Sequence, residues 1–318
     1  MFRTYTPRDD DYMNRLEEVI ADEYRLQILE ITPAKRGYYG ETWKVKTPDT
    51  CYFAKLDYFK RHQALFKNSL PVVHYLSSNG IDFISKVMKT CKDKLFVTFN
   101  SAILGVFEWI DGENLETDDT KAHEYQMLCD VYRLTKQGFN IPIAEFSEDA
   151  ANRFYEKWER LKTAPSNKAN DDVLLILKQH ENKLHHCFSR LSLISRLCRS
   201  EPPEFYLTHG DAGGNFLVSS GRFFIVDWDE VMYAPLERDA WVMSCRPWAV
   251  KLFNNTLERS RIPYKLHPKR LAFYCYFMFF SYLNEFMDDF AAHGQTHEIK
   301  DYLSGSWIWE RIKYADSV

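Results

Sequence analysis

Residues 208–229 read THGDAGGNFLVSSGRFFIVDWD and hold the densest group of polar side chains in an apolar setting. Asp211 and Asn215 lie between two short apolar runs, and Asp227 and Asp229 end the next run. Loops at strand ends are where binding and catalytic residues collect. A carboxylate and an amide on one loop, with a second carboxylate across a hairpin, suit Mg²⁺, which takes oxygen ligands and is usually bound together with substrate phosphates. A carboxylate outside the metal shell is then available to accept a hydroxyl proton.

The composition is that of a globular protein. The chain has 318 residues, of which 45% are hydrophobic and 27% are charged. These values exclude collagen-like, low-complexity and wholly disordered chains, and the length suits two packed lobes or one large domain. The 41 Lys and Arg residues against 45 Asp and Glu residues leave a net charge of −4. The chain lacks the basic excess that a dedicated nucleic-acid-binding protein uses to neutralise phosphates, so nucleic acid is not an expected partner.

The cysteines and the apolar stretches bear on location. Seven cysteines are scattered without a C-x-x-C pair, which indicates neither a disulfide framework nor a zinc site, and we expect reduced thiols in the cytoplasm. Residues 1–11 lack the apolar run of a signal peptide. The most apolar stretch, 271–283, covers 13 residues, whereas a helix that crosses a bilayer takes about 20. This stretch therefore predicts a core helix, and no membrane partner is expected.

Upstream of the polar cluster, the hydrophobic spacing predicts a small antiparallel sheet with helices beside it. Apolar residues at three- and four-residue steps predict an amphipathic helix over 9–25. A second helix is expected to end near Asn79-Gly80, with Pro71 in its first turn or breaking it. Short apolar or alternating runs predict strands at 28–31, 42–45, 52–56, 83–88, 95–99 and 103–109.

From about residue 111 the pattern becomes helical. The turn residues at 111–114 interrupt the strands, and helical spacing then covers 118–137, 147–162 and 171–198. Short apolar runs follow Pro202-Pro203, and helices return from Leu236. The pattern predicts an α+β fold, with a sheet lobe over 1–110 and a larger, mostly helical lobe over 111–318.

Three motifs resemble those of the aminoglycoside phosphotransferase and choline kinase superfamily, which shares the two-lobed protein-kinase-like fold. The resemblance is strongest to spectinomycin phosphotransferases, whose metal loop also continues as DWDE and is followed by a similar A-P-x-E-R-D stretch. Together the motifs span about 30 residues, and they are His209-Gly210-Asp211 with Asn215, Ile225-Val226-Asp227-Trp228-Asp229, and APLERD at 234–239.

The resemblance implies a role for each residue of these motifs. Asp211 would be the catalytic base or would orient the acceptor hydroxyl, and Asn215 and Asp227 would hold Mg²⁺. Asp239 would have a structural role that supports the loop. Independently of the resemblance, we interpret His209 as a structural histidine that holds the loop through hydrogen bonds rather than as an acid or base. Asp229 is either a metal ligand or a carboxylate that is solvated or lies behind the ligands.

The same resemblance assigns nucleotide binding to the sheet lobe and makes ATP and Mg²⁺ the expected cofactors. Lys55 would pair with the α- and β-phosphates of ATP. The segment 36–42, RGYYGET, would fold over the phosphates through Gly37 and Gly40, although two glycines alone also suit an ordinary hairpin turn. Residues 107–110 would form the hinge, with the backbone of Glu108 and Ile110 reading the adenine edge.

Two features depart from the family pattern. Asp211 and Asn215 are four positions apart where the family has five, yet four extended residues reach ~13 Å, and Gly213-Gly214 permits unusual backbone angles. The helix after Lys55 also lacks the glutamate that orients the lysine, because residues 58–80 contain no acid. Lys67 lies near the expected place, and Gln63 or Asn68 are possible substitutes through an amide.

The leading hypothesis is a small-molecule kinase that transfers the γ-phosphoryl group of MgATP to a hydroxyl of a small, cationic acceptor. An aminoglycoside or a spectinomycin-like aminocyclitol is favoured, with choline, another amino alcohol or a sugar as alternatives. The acidic run at 284–289 is either a solvated surface or a contact for such a cation. The competing classes are a non-catalytic nucleotide-binding pseudokinase and a metal-dependent hydrolase that uses Asp211, Asp227 and Asp229, which leaves Lys55 unexplained.

Overall fold

The computed structural model describes residues 8–34, 40–115 and 117–318. The chain divides into two compact units. The first is Met1–Ile143 with Tyr206–Tyr233, and the second is Ala144–Phe205 with Ala234–Val318. The expected antiparallel sheet lies in the first unit and the long helical segments lie in the second, so the predicted α+β class is confirmed.

The first unit contains a five-stranded antiparallel sheet in the order β1-β2-β3-β5-β4. Its strands are β1 (Glu30–Pro33), β2 (Gly40–Lys46), β3 (Cys51–Asp57), β4 (Val97–Phe99) and β5 (Ala102–Glu108). In the central strand β3, Lys55 pairs with Thr42 of β2 on one side and with Gly105 of β5 on the other. Because side chains alternate along a strand, Lys55 and Asp57 point to the same face of the sheet.

Among the described residues, the first unit also contains the helices α1 (Asp10–Tyr24), α2 (Lys60–Ser78) and α3 (Lys121–Arg133). The helix expected over 9–25 is confirmed as α1, whose buried Leu16 and Ile20 belong to the same core cluster as Leu104 of β5.

Pro71 lies inside α2 rather than in its first turn or at a break, so that prediction was wrong. The ring removes one backbone donor, while burial of Phe66, Leu70 and Val73 stabilises the helix across the proline.

The segment 83–88 is not the strand that its apolar residues predict. It runs beside β5, where Met88 N donates to Val106 O and Glu108 N donates to Lys86 O. Only Val87 forms a bridge, with Phe107. Phe83 instead accepts a hydrogen bond from Ile225 N. The backbone groups of the segment 83–88 are therefore divided between β5 and Ile225, which prevents a regular β-ladder.

Four short strands surround the polar cluster: β6 (Tyr206–Thr208), β7 (Phe216–Ser219), β8 (Arg222–Ile225) and β9 (Met232–Ala234). β7 and β8 form an antiparallel hairpin in which Phe216 pairs with Ile225. Just beyond that pair, Val226 N donates to Asn215 O at 2.9 Å. A 3-10 turn, Trp228–Glu230, follows β8. The hairpin therefore places the loop before β7 next to the loop after β8.

The second unit is helical. It contains α4 (Asp149–Thr163), α5 (Lys168–Gln179), α6 (Glu181–Ser200), α7 (Glu237–Ala240), a 3-10 turn (Trp241–Met243), α8 (Pro247–Arg259), α9 (Pro268–His293), α10 (His297–Gly305) and α11 (Ile308–Asp316). The predicted core helix is confirmed within α9, where Phe273, Phe279 and Phe280 are fully buried. The helix expected over 171–198 is two helices that meet at His180. In the part of the chain that the structure describes, none of the helices has the length and apolarity needed to span a membrane.

Candidate active site

The Lys55 side chain ends between two carboxylates. Its Nζ lies 2.7 Å from Asp227 Oδ1 and 2.6 Å from Asp229 Oδ2. Burial by itself would lower the pKa of Lys55, but the charges and hydrogen bonds of the two carboxylates raise that pKa above its ordinary value. The lysine therefore remains charged and joins the central strand of the sheet to the turn after β8.

The two carboxylates differ in exposure and in the direction in which their pKa values are shifted. The Asp227 side chain is 46% exposed and that of Asp229 only 10%. The Lys55 cation lowers the pKa of Asp227 against the effect of burial. Burial raises the pKa of Asp229 to about 6, with Lys55 opposing the shift and the charge of Asp227 adding to it. Asp227 is thus the accessible, ionised carboxylate, and Asp229 is held behind it.

His209 ties the loop before β7 to the end of β8. Its imidazole is fully buried. Nε2 donates to Val226 O at 3.0 Å, and Nδ1 accepts from Asp211 N at 3.2 Å. One donating and one accepting ring nitrogen describe a neutral imidazole. This geometry suits a histidine that orients the loop, the role expected for it.

Gly210 is required by a close backbone approach. Its φ is +84°, in the left-handed region, and a Cβ at this position would lie 1.9 Å from Glu230 O. No side chain fits that space without moving the turn. The glycine therefore allows the His209-Gly210-Asp211 motif to pass directly against the turn that carries Asp229.

The four-residue spacing from Asp211 to Asn215 closes the loop on itself. Asn215 Nδ2 donates to Asp211 O at 2.9 Å and to Asp211 Oδ2 at 3.2 Å. Gly213 has a φ of +98°, and Asn114 Nδ2 donates to Gly214 O at 2.6 Å. The shorter loop therefore still brings the Asp211 carboxylate and the Asn215 amide into direct contact.

A cavity of about 850 Å³ opens beside Lys55, within the size range of small-molecule sites. Its lining includes Lys55 and Asp227, which form the ion pair described above. Its other lining residues include Thr42, Phe53, Ser85, Phe107, Glu108, Trp109, Ile110, Asn114, Asn215 and Asp229. The structure therefore brings Lys55, Asn215, Asp227 and the expected hinge residues to one cavity.

The backbone of the expected hinge is tied to neighbouring segments. Glu108 O accepts a hydrogen bond of 2.6 Å from Ser85 Oγ, and Trp109 N donates to Cys51 O at 3.3 Å. Ser85 also lines the cavity and was not foreseen, because the segment around it was expected to be a regular strand. Its hydroxyl adds a polar group beside the hinge carbonyl.

Three further expected site residues are not among those that line the cavity in the described part of the chain. Gly37 falls outside the residues that the structure describes. Gly40 begins β2 opposite Asp57, and a Cβ there would lie 1.9 Å from Leu56 O, so close strand packing requires this glycine. Asp239 is buried in α7, which belongs to the second unit.

Helix α2 presents a histidine toward the Lys55 cluster. His62 Nδ1 lies 2.6 Å from Asp57 Oδ2, and His62 Nε2 lies 3.8 Å from Asp229 Oδ2. Two residues that the sequence suggested near the place of the family glutamate have other contacts. Gln63 Nε2 donates to Asp57 O and Ser101 O. Lys67 Nζ lies 5.1 Å from the Phe96 ring centroid. The expected place of the family glutamate was counted back from the end of the helix at Asn79-Gly80, which gave Lys67 and missed His62. Counting forward from Lys55 to the first turn of the helix would have reached it.

The oxygen ligands available here suit a hydrated Mg²⁺. Across residues 8–34, 40–115 and 117–318, no group of three or more His, Cys, Asp or Glu side chains is arranged to hold a metal ion by itself. The loops offer the exposed Asp227 carboxylate and the Asn215 amide oxygen, whose nitrogen is the atom that bonds to Asp211. Such a sparse set fits an ion whose coordination is completed by water and substrate phosphates.

Comparison with known proteins agrees with this geometry. The sequence profile of the phosphotransferase enzyme family matches residues 30–274. A spectinomycin phosphotransferase solved with ADP and spectinomycin superposes with a TM-score of 0.77 at 17% identity, covering 96% of this chain and 98% of that one. An aminoglycoside phosphotransferase from Alicyclobacillus acidocaldarius gives 0.64 at 13% identity, covering 99% and 96%.

A choline kinase from Streptococcus pneumoniae gives a TM-score of 0.61 at 13% identity, covering 97% of this chain and 100% of that one. At these identities the likeness shows a shared fold. No curated protein matches the sequence. The resemblance inferred from the three motifs is confirmed by the family match and by the fold.

Proposed function

The chain belongs to the phosphotransferase enzyme family, and we propose that it transfers the γ-phosphoryl group of MgATP to a hydroxyl of a small, amino-bearing acceptor. The observation that carries the proposal is the contact of Lys55 with Asp227 at 2.7 Å in a cavity that the hinge residues also line. A cation for phosphates, a carboxylate for a metal ion and an extended backbone for a base thereby share one site.

The cavity walls suit a nucleotide. Phe53, Phe107 and Trp109 contribute aromatic surface, against which a planar base can stack. The Ile110 backbone offers a donor and an acceptor to the base edge. The Glu108 N–H is donated to Lys86 O, so Glu108 offers only the second lone pair of its carbonyl, which already accepts from Ser85 Oγ. Lys55 offers charge to the phosphates. The spectinomycin phosphotransferase of the same fold was solved with ADP, and an amicoumacin kinase of that fold with AMP-PNP, which supports ATP as the donor.

Asn215 and Asp227 would hold the metal ion. Bound Mg²⁺ neutralises phosphate oxygens during transfer, which is the chemistry that phosphoryl transfer mainly requires besides in-line positioning. Asp227 suits this task because it is ionised and is the more exposed of the two carboxylates that contact Lys55.

Asp211 would orient the acceptor hydroxyl and take its proton. The Asn215 amide donates to Asp211 Oδ2, which helps to orient the carboxylate. The backbone of Asp211 is fixed in turn by the bond from its N–H to His209. A carboxylate oriented from both sides is suited to positioning a nucleophile.

The amino-bearing acceptor rests on similarity rather than on the acidic run at 284–289. Within the second unit, Lys157 Nζ lies 2.8 Å from Asp288 Oδ1, and Asn284 Nδ2 donates to Ala150 O. These two residues of the run therefore take part in packing α4 against α9. The high coverage and TM-score of the spectinomycin phosphotransferase favour an aminocyclitol or aminoglycoside over choline, other amino alcohols and sugars.

The test is ADP release by the purified full-length protein with Mg²⁺ and ATP across aminocyclitols, aminoglycosides, amino alcohols and sugars, with mass spectrometry of the acceptor. We expect turnover with at least one amino-bearing acceptor and a strongly reduced rate for the Asp211→Ala variant. MgATP binding without acceptor-dependent ADP release from any compound would instead identify a non-catalytic nucleotide-binding protein.

A further inference from the structure

Three contacts link four side chains beside Lys55, and the first and last of these side chains both belong to β3. Lys55 Nζ lies 2.6 Å from Asp229 Oδ2. The same carboxylate oxygen lies 3.8 Å from His62 Nε2, and His62 Nδ1 lies 2.6 Å from Asp57 Oδ2. Asp57 returns to β3, two positions from Lys55 and on the same face of the sheet. The helix thus contacts the lysine's partner through a histidine.

Asp57 holds His62 in a fixed orientation. Besides its contact with the ring, Asp57 Oδ1 accepts a hydrogen bond from Phe59 N at 2.8 Å, and its carbonyl accepts one from Gln63 Nε2 at 2.8 Å. These bonds fix the first turn of α2 to the end of β3. The Asp57 and His62 side chains are only 1% and 5% exposed, so the ring has little freedom to turn away.

The charges around His62 favour its cationic form. Its Nδ1 faces Asp57, and its Nε2 faces Asp229 at 3.8 Å and Glu230 Oε1 at 3.6 Å. The latter two distances are those of ion pairs rather than of hydrogen bonds. Burial opposes the charge, but the hydrogen bond to Asp57 and the nearby negative charges of Glu230 and Asp229 raise the pKa of His62 to about 9. A buried carboxylate is stable only when it is paired in this way.

We propose that His62 is a positioning residue for phosphoryl transfer, which holds Asp229 from the side of α2 so that Asp229 keeps Lys55 directed at the phosphates. Lys55 has two carboxylate partners, and Asp227 is the one assigned above to the metal ion. Asp229 is then the partner that remains with the lysine. The arrangement reverses the family pattern, because the helix supplies the cation and the turn after β8 supplies the acid. This inference rests on the proposed function for its kinetic consequences.

The test uses the full-length protein and the variants His62→Leu, His62→Gln, Asp229→Asn and the double variant His62→Leu with Asp229→Asn. His74→Gln, on the same helix, is the matched control. Two quantities are measured: the Kd of a non-hydrolysable ATP analogue with Mg²⁺ by calorimetry, and kcat with separate KM values for ATP and for the acceptor. Circular dichroism and thermal unfolding establish that each variant is folded at the assay temperature.

We expect His62→Leu to raise the analogue Kd and the KM for ATP by about 10-fold, the effect of a lost charge-assisted contact, with the acceptor KM unchanged. His62→Gln, which keeps a donor toward Asp57, should fall between His62→Leu and the wild type. Because His62 acts through Asp229, the double variant should be no weaker than Asp229→Asn alone. His74→Gln should match the wild type.

Folded His62 variants with the wild-type Kd for the analogue and the wild-type KM for ATP would overturn the inference. A double variant whose Kd is raised by the product of the two single-variant factors would also overturn it. If His62→Leu does not fold, the inference is tested by the Kd and KM of His62→Gln and by the comparison of the double variant with Asp229→Asn. The two proposals fail separately. A wild-type protein that binds the analogue without any turnover refutes the kinase activity, whereas the Kd comparison still tests His62.

Discussion

The Lys55 ammonium lies 2.7 Å from the Asp227 carboxylate, although 172 positions separate the two residues in the chain. One residue belongs to the central strand of the sheet and the other to the turn after a distant hairpin. Asn215, on the loop before that hairpin, lines the same cavity. The fold thus brings a cation, carboxylates and an amide to one cavity, and these are the groups that the proposed MgATP site uses.

Replacing Lys55 by Met should raise the Kd of a Mg²⁺-bound ATP analogue by about 100-fold, because a charge-assisted contact to the phosphates is lost and two carboxylates are left without their cation. Lys67→Ala is the matched control, because Lys67 belongs to α2 and its ammonium lies over the Phe96 ring instead of in the Lys55 site. Calorimetric titration measures both. Equal weakening by the two substitutions would show that general positive charge, and not the Lys55 site, attracts the nucleotide.

Replacing Asp211 by Ala should lower kcat by about 100- to 10,000-fold, the usual contribution of a positioned acid or base, while the analogue Kd changes little. The exposed Asp93→Asn is the control for loss of a carboxylate. Initial rates of ADP release with a saturating acceptor provide the measurement. Substantial turnover by the Ala variant would contradict the assignment of Asp211 as the base.

Removal of the metal ion with EDTA should abolish transfer, and excess Mg²⁺ should restore it. Asp227→Asn should shift the Mg²⁺ concentration for half-maximal rate upward by about 10-fold or more, because an anionic oxygen ligand becomes a neutral one. Rates recorded over a series of free Mg²⁺ concentrations test this. An unchanged midpoint in the Asn variant would remove Asp227 from the metal site.

Two glycine substitutions separate backbone strain from steric conflict. Gly210 and Gly221 both have left-handed φ values, +84° and +77°, but only at Gly210 does a Cβ meet another atom, Glu230 O at 1.9 Å. Gly221→Ala should cost about 1–2 kcal/mol of unfolding free energy. Gly210→Ala should cost roughly 1–3 kcal/mol more, because the turn must move. Urea unfolding of both variants measures the difference, and equal costs would contradict the close approach.

His62 should make stability depend on pH. Its pKa is raised from 6.5 to about 9 in the folded protein because the hydrogen bonds and charges of Asp57, Glu230 and Asp229 outweigh burial. A raised folded-state pKa means that the folded protein binds the proton more tightly. The contribution is therefore complete below about pH 6.5 and is lost as pH rises through about 9.

The measurement compares the unfolding free energies of the wild type and His62→Gln. Their difference should be largest near pH 6 and should shrink by pH 10, since the wild type alone loses the protonated ring. Both proteins share every other titrating group near the site, so the comparison cancels the contributions that do not depend on the charge of His62. A difference that is constant or grows with pH would show that His62 is neutral in the folded protein.

Much of this architecture was predictable because it depends on local physics. Alternating apolar residues indicated β2, β3 and β5, and the spacing of apolar residues indicated α1, since each pattern follows from the geometry of its own element. The HGD and DWD motifs and their order indicated the family, which the profile match confirms. The roles of Asp211, Asn215 and Asp227 stay predictions, for which the structure supplies the geometry.

The remainder depends on which segments come to lie together in space. Residues 83–88 have the composition of a strand, yet their hydrogen bonds are divided between β5 and Ile225. The absence of an acid in α2 suggested that Lys55 lacks a carboxylate partner. That partner is Asp229, 174 positions further along the chain, and His62 contacts Asp229 from α2. A sequence pattern specifies which face of an element is buried, but the partner of a charged group is set by packing between distant segments. No period along the chain encodes that contact, because it exists only after the sheet, the helix and the hairpin have come together.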